Sequence, residues 1–139
     1  MYELVIYNNK NGQKHIKLEY ASNFYKRLIG LMFKNTIKPL LFIQKTSKRH
    51  FSSIHTFFMK KTIDILYISE DNKILEYVTL PPWKMYIPKN NQTKYIIELP
   101  KNTLKKNKIT TNTTIEVVKR IWITTTKIHR QTGMKITFK

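Results

Sequence analysis

Between Ile54 and Ser69 the chain reads Ile-His-Thr-Phe-Phe-Met-Lys-Lys-Thr-Ile-Asp-Ile-Leu-Tyr-Ile-Ser, two apolar runs separated by a short basic connection. Both runs are rich in β-branched and aromatic residues and too short for good helices, so the pattern predicts two buried strands flanking a tight turn. Asp64 stands at the head of the second run. A carboxylate there must be paired, hydrogen-bonded or protonated, and capping the backbone N–H groups of the turn is the simplest solution.

The same reading extends in both directions. Tyr2 to Tyr7 predicts a strand, Asn8 to Gly12 supplies turn residues that tolerate positive φ, and Lys14 to Tyr20 alternates Ile16, Leu18 and Tyr20 against His15, Lys17 and Glu19. That is a hairpin with His15 toward solvent. Ser22 can cap a helix over Asn23 to Met32, where Phe24, Leu28 and Leu31 recur on one side. Gly30 inside it costs about 1 kcal/mol against alanine, which implies a close backbone approach or an early helix end.

Pro39 introduces a short strand, Leu40 to Ile43, and Gln44 to Ser53 reads as a polar, basic loop. Glu70 to Lys73 has turn chemistry, after which Lys73 to Leu80 returns as the hairpin partner of the run that starts at Ile63. Pro81-Pro82-Trp83 must leave the sheet, because prolines donate no ladder hydrogen bond. Thr93 to Leu99 is the next strand, Asn102 to Lys108 a short helix, and Thr114 to Val118 a final strand. These elements predict a mainly β (β-rich α+β) domain over residues 1–118: a sandwich or open-barrel-like antiparallel sheet with one or two short helices. Residues 119–139 form a basic C-terminal extension, whose Ile121, Trp122, Ile123, Met134, Ile136 and Phe138 suit an added strand or hairpin.

A chain of 139 residues is about the modal size for one domain and buries roughly two thirds of its unfolded surface, enough for a core without staples. The absence of cysteine excludes disulfides, thiol nucleophiles and thiolate metal sites. Residues 1–7 show no basic n-region or small-residue cleavage site, and no segment approaches about 18 uninterrupted apolar residues. A cytoplasmic product without a membrane partner is the expectation.

The net charge of +18 invites a nucleic-acid reading, because lysine and arginine neutralise phosphates. Arg27, Arg49, Arg120 and Arg130 are the only arginines, however, and the lysines are scattered among many Asn and Ile residues. Such an excess can follow from an AT-rich genome, and a solvated basic surface accounts for it.

Gly12, Gly30 and Gly133 are isolated, so no phosphate-cradling loop and no nucleotide cofactor are expected. His15, His50, His55 and His129 lack metal-ligand spacing, and Ser52-Ser53 near His55 is no spatial triad. A sparse polar set within apolar strands remains: Arg27, His55, Asp64 and Glu98. Glu98 poses the same burial problem as Asp64, and Arg27 on the predicted helix can be its partner.

Several of these blocks, taken in order, resemble a known family. Arg27-Leu28-Ile29-Gly30-Leu31-Met32, Leu41-Phe42-Ile43, His55-Thr56-Phe57-Phe58-Met59 with Ile63-Asp64-Ile65, and Tyr95-Ile96-Ile97-Glu98-Leu99-Pro100 follow one another. They are similar to the Arg-x-x-Gly-Leu-Met, apolar, aromatic-aromatic-Met with following Asp, and Glu-Leu-Pro blocks of the domain of unknown function 192, also called uncharacterised protein family 0127. Pro82-Trp83 resembles the Pro-Trp of its archaeal-type members. The resemblance covers about Ala21 to Val117 and implies a compact, mostly β domain with no established activity. Lys101-Asn102, Asn112-Thr113 and Pro39-Leu40-Leu41 depart from the family's usual Gly, Gly-Asp and Gly-Met at those places.

The first functional expectation is a small-molecule or peptide-binding domain rather than an enzyme. Its cleft would lie between the His55 and Asp64 strands and the Pro81 to Pro88 loop. Trp83, Tyr86 and Tyr95 would give apolar contact, with His55, Asp64, Glu98 and Arg27 as polar candidates and Arg27 as the anchor for a ligand carboxylate. The second is a nucleic-acid-associated protein using Lys119, Arg120, Trp122, Lys127 and Arg130, with Trp122 as a stacking platform. The third is a hydrolase that pairs Asp64 or Glu98 with His55.

Overall fold

The computed structural model describes residues 1–8, 12–22, 31–46 and 48–120. Within them the chain forms β1 (Tyr2–Asn8), β2 (Gly12–Tyr20), β3 (Leu40–Ile43), β4 (Ile54–His55), β5 (Ile63–Ser69), β6 (Ile74–Leu80), β7 (Met85–Tyr86), β8 (Thr93–Pro100), a short helix α1 (Thr103–Lys106) and β9 (Thr114–Lys119). The loop before β4 winds into a single 3-10 turn, Arg49–Ser52. Seven strands share one open sheet in the order β6-β5-β8-β3-β2-β1-β9, while β4 and β7 pair separately as a two-stranded ribbon.

All seven residues of β5 are buried. The strand is hydrogen-bonded to β6 on one side and β8 on the other and is covered on both faces, the setting in which a strand reads as an unbroken apolar run instead of an alternation. Two hydrophobic layers result. On one face Leu4, Leu18, Leu41, Leu66, Ile68, Ile97 and Leu99 pack under Leu104 of α1 and Ile109. On the other, Leu40, Phe42, Ile63, Ile65, Tyr67 and Ile96 pack under Leu31, Ile54, Met59 and Tyr86. In β3, β5 and β8 consecutive residues divide between the layers, as a period of two requires.

The mainly β architecture with a short helix over part of Asn102 to Lys108 agrees with the pattern of the sequence, and the order β6 to β9 leaves the sheet unclosed. Two details differ from it. β2 and β3 run parallel, with Glu19 opposite Leu40 and Tyr20 opposite Leu41. The runs on either side of residues 56–62 do not pair with each other: β5 lies in the main sheet, and β4 pairs with β7. The expected helix over Asn23 to Met32 has residues 23–30 outside the described ones, as does the extension beyond Arg120. The first and last described residues are joined, since the Arg120 N–H donates to the Met1 carbonyl at 2.7 Å. No helix among the described residues is long and apolar enough to cross a membrane.

Candidate functional site

The connection between the ribbon and the sheet is organised by Thr56, whose side chain is fully buried. Its hydroxyl donates to the Pro81 carbonyl at 2.6 Å and accepts the Lys84 N–H at 2.9 Å. Its own N–H donates to the Lys84 carbonyl at 2.8 Å, and its carbonyl accepts from Trp83 at 2.9 Å and Met59 at 3.1 Å. Pro81 and Pro82 have no N–H to offer, so Trp83 and Lys84 supply the donors that bind this turn to Thr56. Met59 is buried in the core and anchors the other end of the connection. A third loop joins them through the Phe33 N–H, which donates to the Phe58 carbonyl at 2.9 Å.

Each of the three loops presents an aromatic residue on left-handed backbone: Phe33 at φ 59°, Phe58 at φ 62° and Trp83 at φ 62°. For a residue with a Cβ this conformation costs on the order of 1–2 kcal/mol. It persists only where surrounding contacts over-determine it. Asn72, Asn102 and Lys108 have positive φ in turns as well, and asparagine adopts it readily. The three aromatic side chains are 64 %, 47 % and 58 % exposed. Phe33 and Phe58 have ring centroids 5.6 Å apart, Phe58 and Trp83 4.8 Å, and Phe57 and Trp83 6.3 Å. His55 stacks on Phe57 at 4.9 Å with 24° between the planes. A continuous belt therefore runs Phe33, Phe58, Trp83, Phe57, His55. Met85 lies directly opposite His55 in the ribbon, on the same outward face, and is exposed.

His55 Nδ1 accepts the Phe57 N–H at 3.3 Å. Its neutral ring thus carries the proton on Nε2, which makes it a donor at one end of the belt.

Asp64 belongs elsewhere. It is 1 % exposed and faces the layer under α1, the opposite side of the sheet from β4 and β7. Its Oδ1 accepts from the Thr79 hydroxyl at 2.8 Å and its Oδ2 from the Leu104 N–H at 3.0 Å. It caps the first turn of α1 rather than the 59–62 connection, and both oxygens are occupied inside the protein. Glu98 lies opposite Ile65 and Leu40, so it faces the other layer. It is buried and partnered. Its expected pairing with Arg27 falls outside the described residues.

Tyr86 is half-buried and donates its hydroxyl to Glu76 Oε1 at 2.5 Å. Glu76 also accepts from the Lys89 N–H, the Asn90 N–H and Asn90 Nδ2. Burial works to raise the Glu76 pKa, but the donors from Tyr86, Asn90 and Lys89 outweigh it and hold the carboxyl below its usual range. Burial, followed by the bond to Glu76, pushes the Tyr86 phenol up to about 12. These two residues fix the loop after β7. Tyr95 packs on the α1 side of the sheet, remote from Trp83, and burial followed by the charge of Glu70 raises its pKa.

Of the basic candidates, Arg120 Nε donates to Glu3 at 2.5 Å and Lys119 Nζ lies 5.9 Å from the Tyr2 ring centroid. Trp122, Lys127 and Arg130 are outside the described residues. No group of three His, Asp or Glu side chains that could hold a metal ion occurs among the described residues.

The belt gathers Trp83 and His55 from the expected set and adds Phe33, Phe57 and Phe58. Hydropathy places Phe57 and Phe58 in a buried strand and leaves Phe33 unmarked. What could single them out is local: Phe33-Lys34 and Trp83-Lys84 each follow an aromatic with a lysine, and Met59 alone separates Phe58 from Lys60-Lys61.

Fold and site together define a mainly β, single-sheet protein that presents a braced aromatic surface beside a two-stranded ribbon. Over residues 6–117 the chain matches the model of the domain of unknown function 192, described as uncharacterized ACR, and it belongs to that family. A UPF0127 protein of Pyrococcus abyssi is 35 % identical over 121 residues, covering 87 % of this chain and 98 % of that one. A UPF0127 protein of Pyrococcus horikoshii is 37 % identical over 98 residues, covering 70 % and 84 %. Among solved structures, a Sinorhizobium meliloti protein described as a candidate transcription regulator aligns with a TM-score of 0.70 at 19 % identity, over 84 % of this chain and 94 % of that one. A Novosphingobium aromaticivorans protein of unknown function aligns at 0.68 and 13 %, over 82 % and 83 %. At such identities the likeness is one of fold alone.

Proposed function

We propose that this domain is a binding module rather than an enzyme, and that it holds an extended ligand across the Phe33, Phe58, Trp83 belt. The observation that carries this reading is the conjunction, in three touching residues, of left-handed backbone and exposed aromatic rings. A contiguous apolar patch on a soluble surface marks an interaction site, and strained backbone accumulates where geometry serves function. Rings held in place by backbone and by Thr56 lose little conformational freedom on binding, which favours affinity. The belt is exposed at Phe33, Phe58 and Trp83. It suits a ligand with several successive flat or apolar groups, such as a peptide or another oligomer, with His55 Nε2 as a polar contact. His55 and Asp64 lie on opposite sides of the sheet, which speaks against their joint use as a hydrolytic pair.

The test uses the Trp122→Phe protein, in which Trp83 is the only tryptophan. Its emission and thermal stability are followed against uncharged aromatic and proline-rich hexapeptides, mononucleosides and short homopolymeric oligonucleotides. A compound that raises the apparent melting temperature and changes Trp83 emission, and does neither after Phe58→Ala, supports the belt as the contact surface. Binding of every probe that is indifferent to Phe58→Ala and Trp83→Ala refutes it.

A further inference from the structure

We infer that the ligand of this face is a single-stranded nucleic acid, an inference that rests on the belt being the contact surface. Charge supports the assignment. The acidic residues are Glu3, Glu19, Asp64, Glu70, Asp71, Glu76, Glu98 and Glu116, so none falls between residues 20 and 63 or between 77 and 97. All three loops that build the belt lie within those acid-free stretches. Lys34, Lys60, Lys61 and Lys84 flank its rings in sequence and are exposed. Lys60 Nζ reaches from the Phe58 loop to Asn35 Oδ1 in the Phe33 loop at 3.3 Å, so two of the loops share one cationic edge. The carboxylate bonded to the nearby ribbon, Glu76, is enclosed by donors from Tyr86, Lys89 and Asn90.

An anionic partner follows from the lysines, and a partner with repeated flat groups follows from the rings. Single-stranded DNA or RNA has both, because every base offers a π-face and every step a phosphate. A lipid surface would also take lysines and aromatics, but it needs only apolar area and sets no requirement on ring placement. Here three loops are braced in left-handed backbone to fix the rings. Duplex nucleic acid keeps its bases stacked on one another and has no free face for the belt.

The experiment measures fluorescence anisotropy of the full chain with labelled dodecamers of thymidylate and uridylate. A duplex of the same length and phosphatidylglycerol vesicles serve as competitors. The single strands are expected to bind more tightly than the duplex, and Trp83→Ala and Phe58→Ala each to weaken binding about tenfold or more. Trp83→Tyr, which keeps a ring, should restore most of the affinity, so a folding defect in the alanine variant does not decide the result. Lys34→Gln, Lys61→Gln and Lys84→Gln combined should reduce the slope of log affinity against log salt by about 2, at about 0.7 per phosphate neutralised on a single strand. Loss of binding in Trp122→Ala with none in Trp83→Ala would move the contact to the C-terminal extension and overturn the inference. Equal affinity for the duplex would also overturn it, as would vesicle binding that needs Trp83 while the oligonucleotides do not bind. If uncharged hexapeptides bind through Phe58 and Trp83 and oligonucleotides do not, the inference fails while the belt stands as a contact surface.

Discussion

Thr56→Val is the sharpest probe of how the aromatic face is held. Valine matches threonine in shape, so the substitution removes the hydroxyl without opening a cavity. The main bonds lost are the donation to the Pro81 carbonyl at 2.6 Å and the acceptance of the Lys84 N–H at 2.9 Å, with a longer contact of the same hydroxyl to the Lys84 carbonyl at 3.3 Å. The backbone bonds of Thr56 to Lys84, Trp83 and Met59 remain available. A net contribution of about 0.5–1.5 kcal/mol per hydrogen bond gives a loss of about 1–3 kcal/mol. Both partners sit in a part-buried turn, and water reaching one of them would place the result at the lower end. At about 2–8 °C per kcal/mol for a domain of this size, the melting temperature should fall by several degrees. Trp83 stands between the two lost bonds in the chain, so its near-UV circular dichroism should weaken in the Trp122→Phe background while the far-UV spectrum keeps its β shape. Thr56→Ser retains the hydroxyl and should keep the Trp83 signal. A Thr56→Val protein with wild-type stability and an unchanged Trp83 signal would show that backbone bonds alone hold the turn, and the role given to the hydroxyl would be wrong.

Asp64→Leu should leave the Leu104 N–H without its acceptor, costing about 1–3 kcal/mol and speeding hydrogen exchange at that amide, whereas Asp64→Asn keeps an oxygen in place and should leave exchange slow. Equal exchange rates in the two variants would remove the capping role. Burial works to raise the Glu3 pKa, but His15 Nδ1 at 3.1 Å and Arg120 Nε at 2.5 Å outweigh it and depress the carboxyl. A depressed carboxylate contributes stability that is complete above its ordinary pKa and is lost as pH falls through the folded value, so Glu3→Gln should flatten the acid side of melting temperature against pH and leave its slope near neutrality unchanged. The Tyr86 phenol has the opposite sign: raised to about 12, it stabilises fully below pH 10 and loses that contribution as pH climbs toward 12. A phenolate titration should show Tyr86 and Tyr95 ionising later than an ordinary tyrosine, and Tyr86→Phe should remove the step near pH 12.

The fold was largely legible because β-structure announces itself through short runs. Ile63 to Ser69, Ile74 to Leu80 and Thr93 to Pro100 are bounded by turn chemistry, and the structure pairs β5 with β6 and β8. Two features of pairing were not legible. The parallel contact of β2 with β3 spans only Glu19–Leu40 and Tyr20–Leu41, and it depends on where the 21–39 connection returns, which no local pattern encodes. The separation of β4 from β5 depends on Thr56, whose hydroxyl meets residues 25 and 28 positions away. A polar residue between two apolar runs looks like a turn in sequence. Here it is the buried hub of three loops.

The site was less legible for a related reason. Phe58 has the same hydropathy as the core aromatic Phe42, and side-chain type alone cannot separate them. Backbone handedness separates them. The left-handed conformation at Phe58 and Trp83 makes tight turns that carry the rings outward, while Met59, one residue from Phe58, is buried in the core. The buried neighbour supplies the packing that offsets the strain, and the Phe58 ring stays exposed. Asp64 illustrates the reverse case: as a charge inside an apolar run it draws attention from sequence, and the structure commits both of its oxygens to Thr79 and Leu104. Conspicuous polarity at Asp64 marks scaffolding, whereas Phe58, which the sequence pattern places in a buried strand, is exposed beside Trp83.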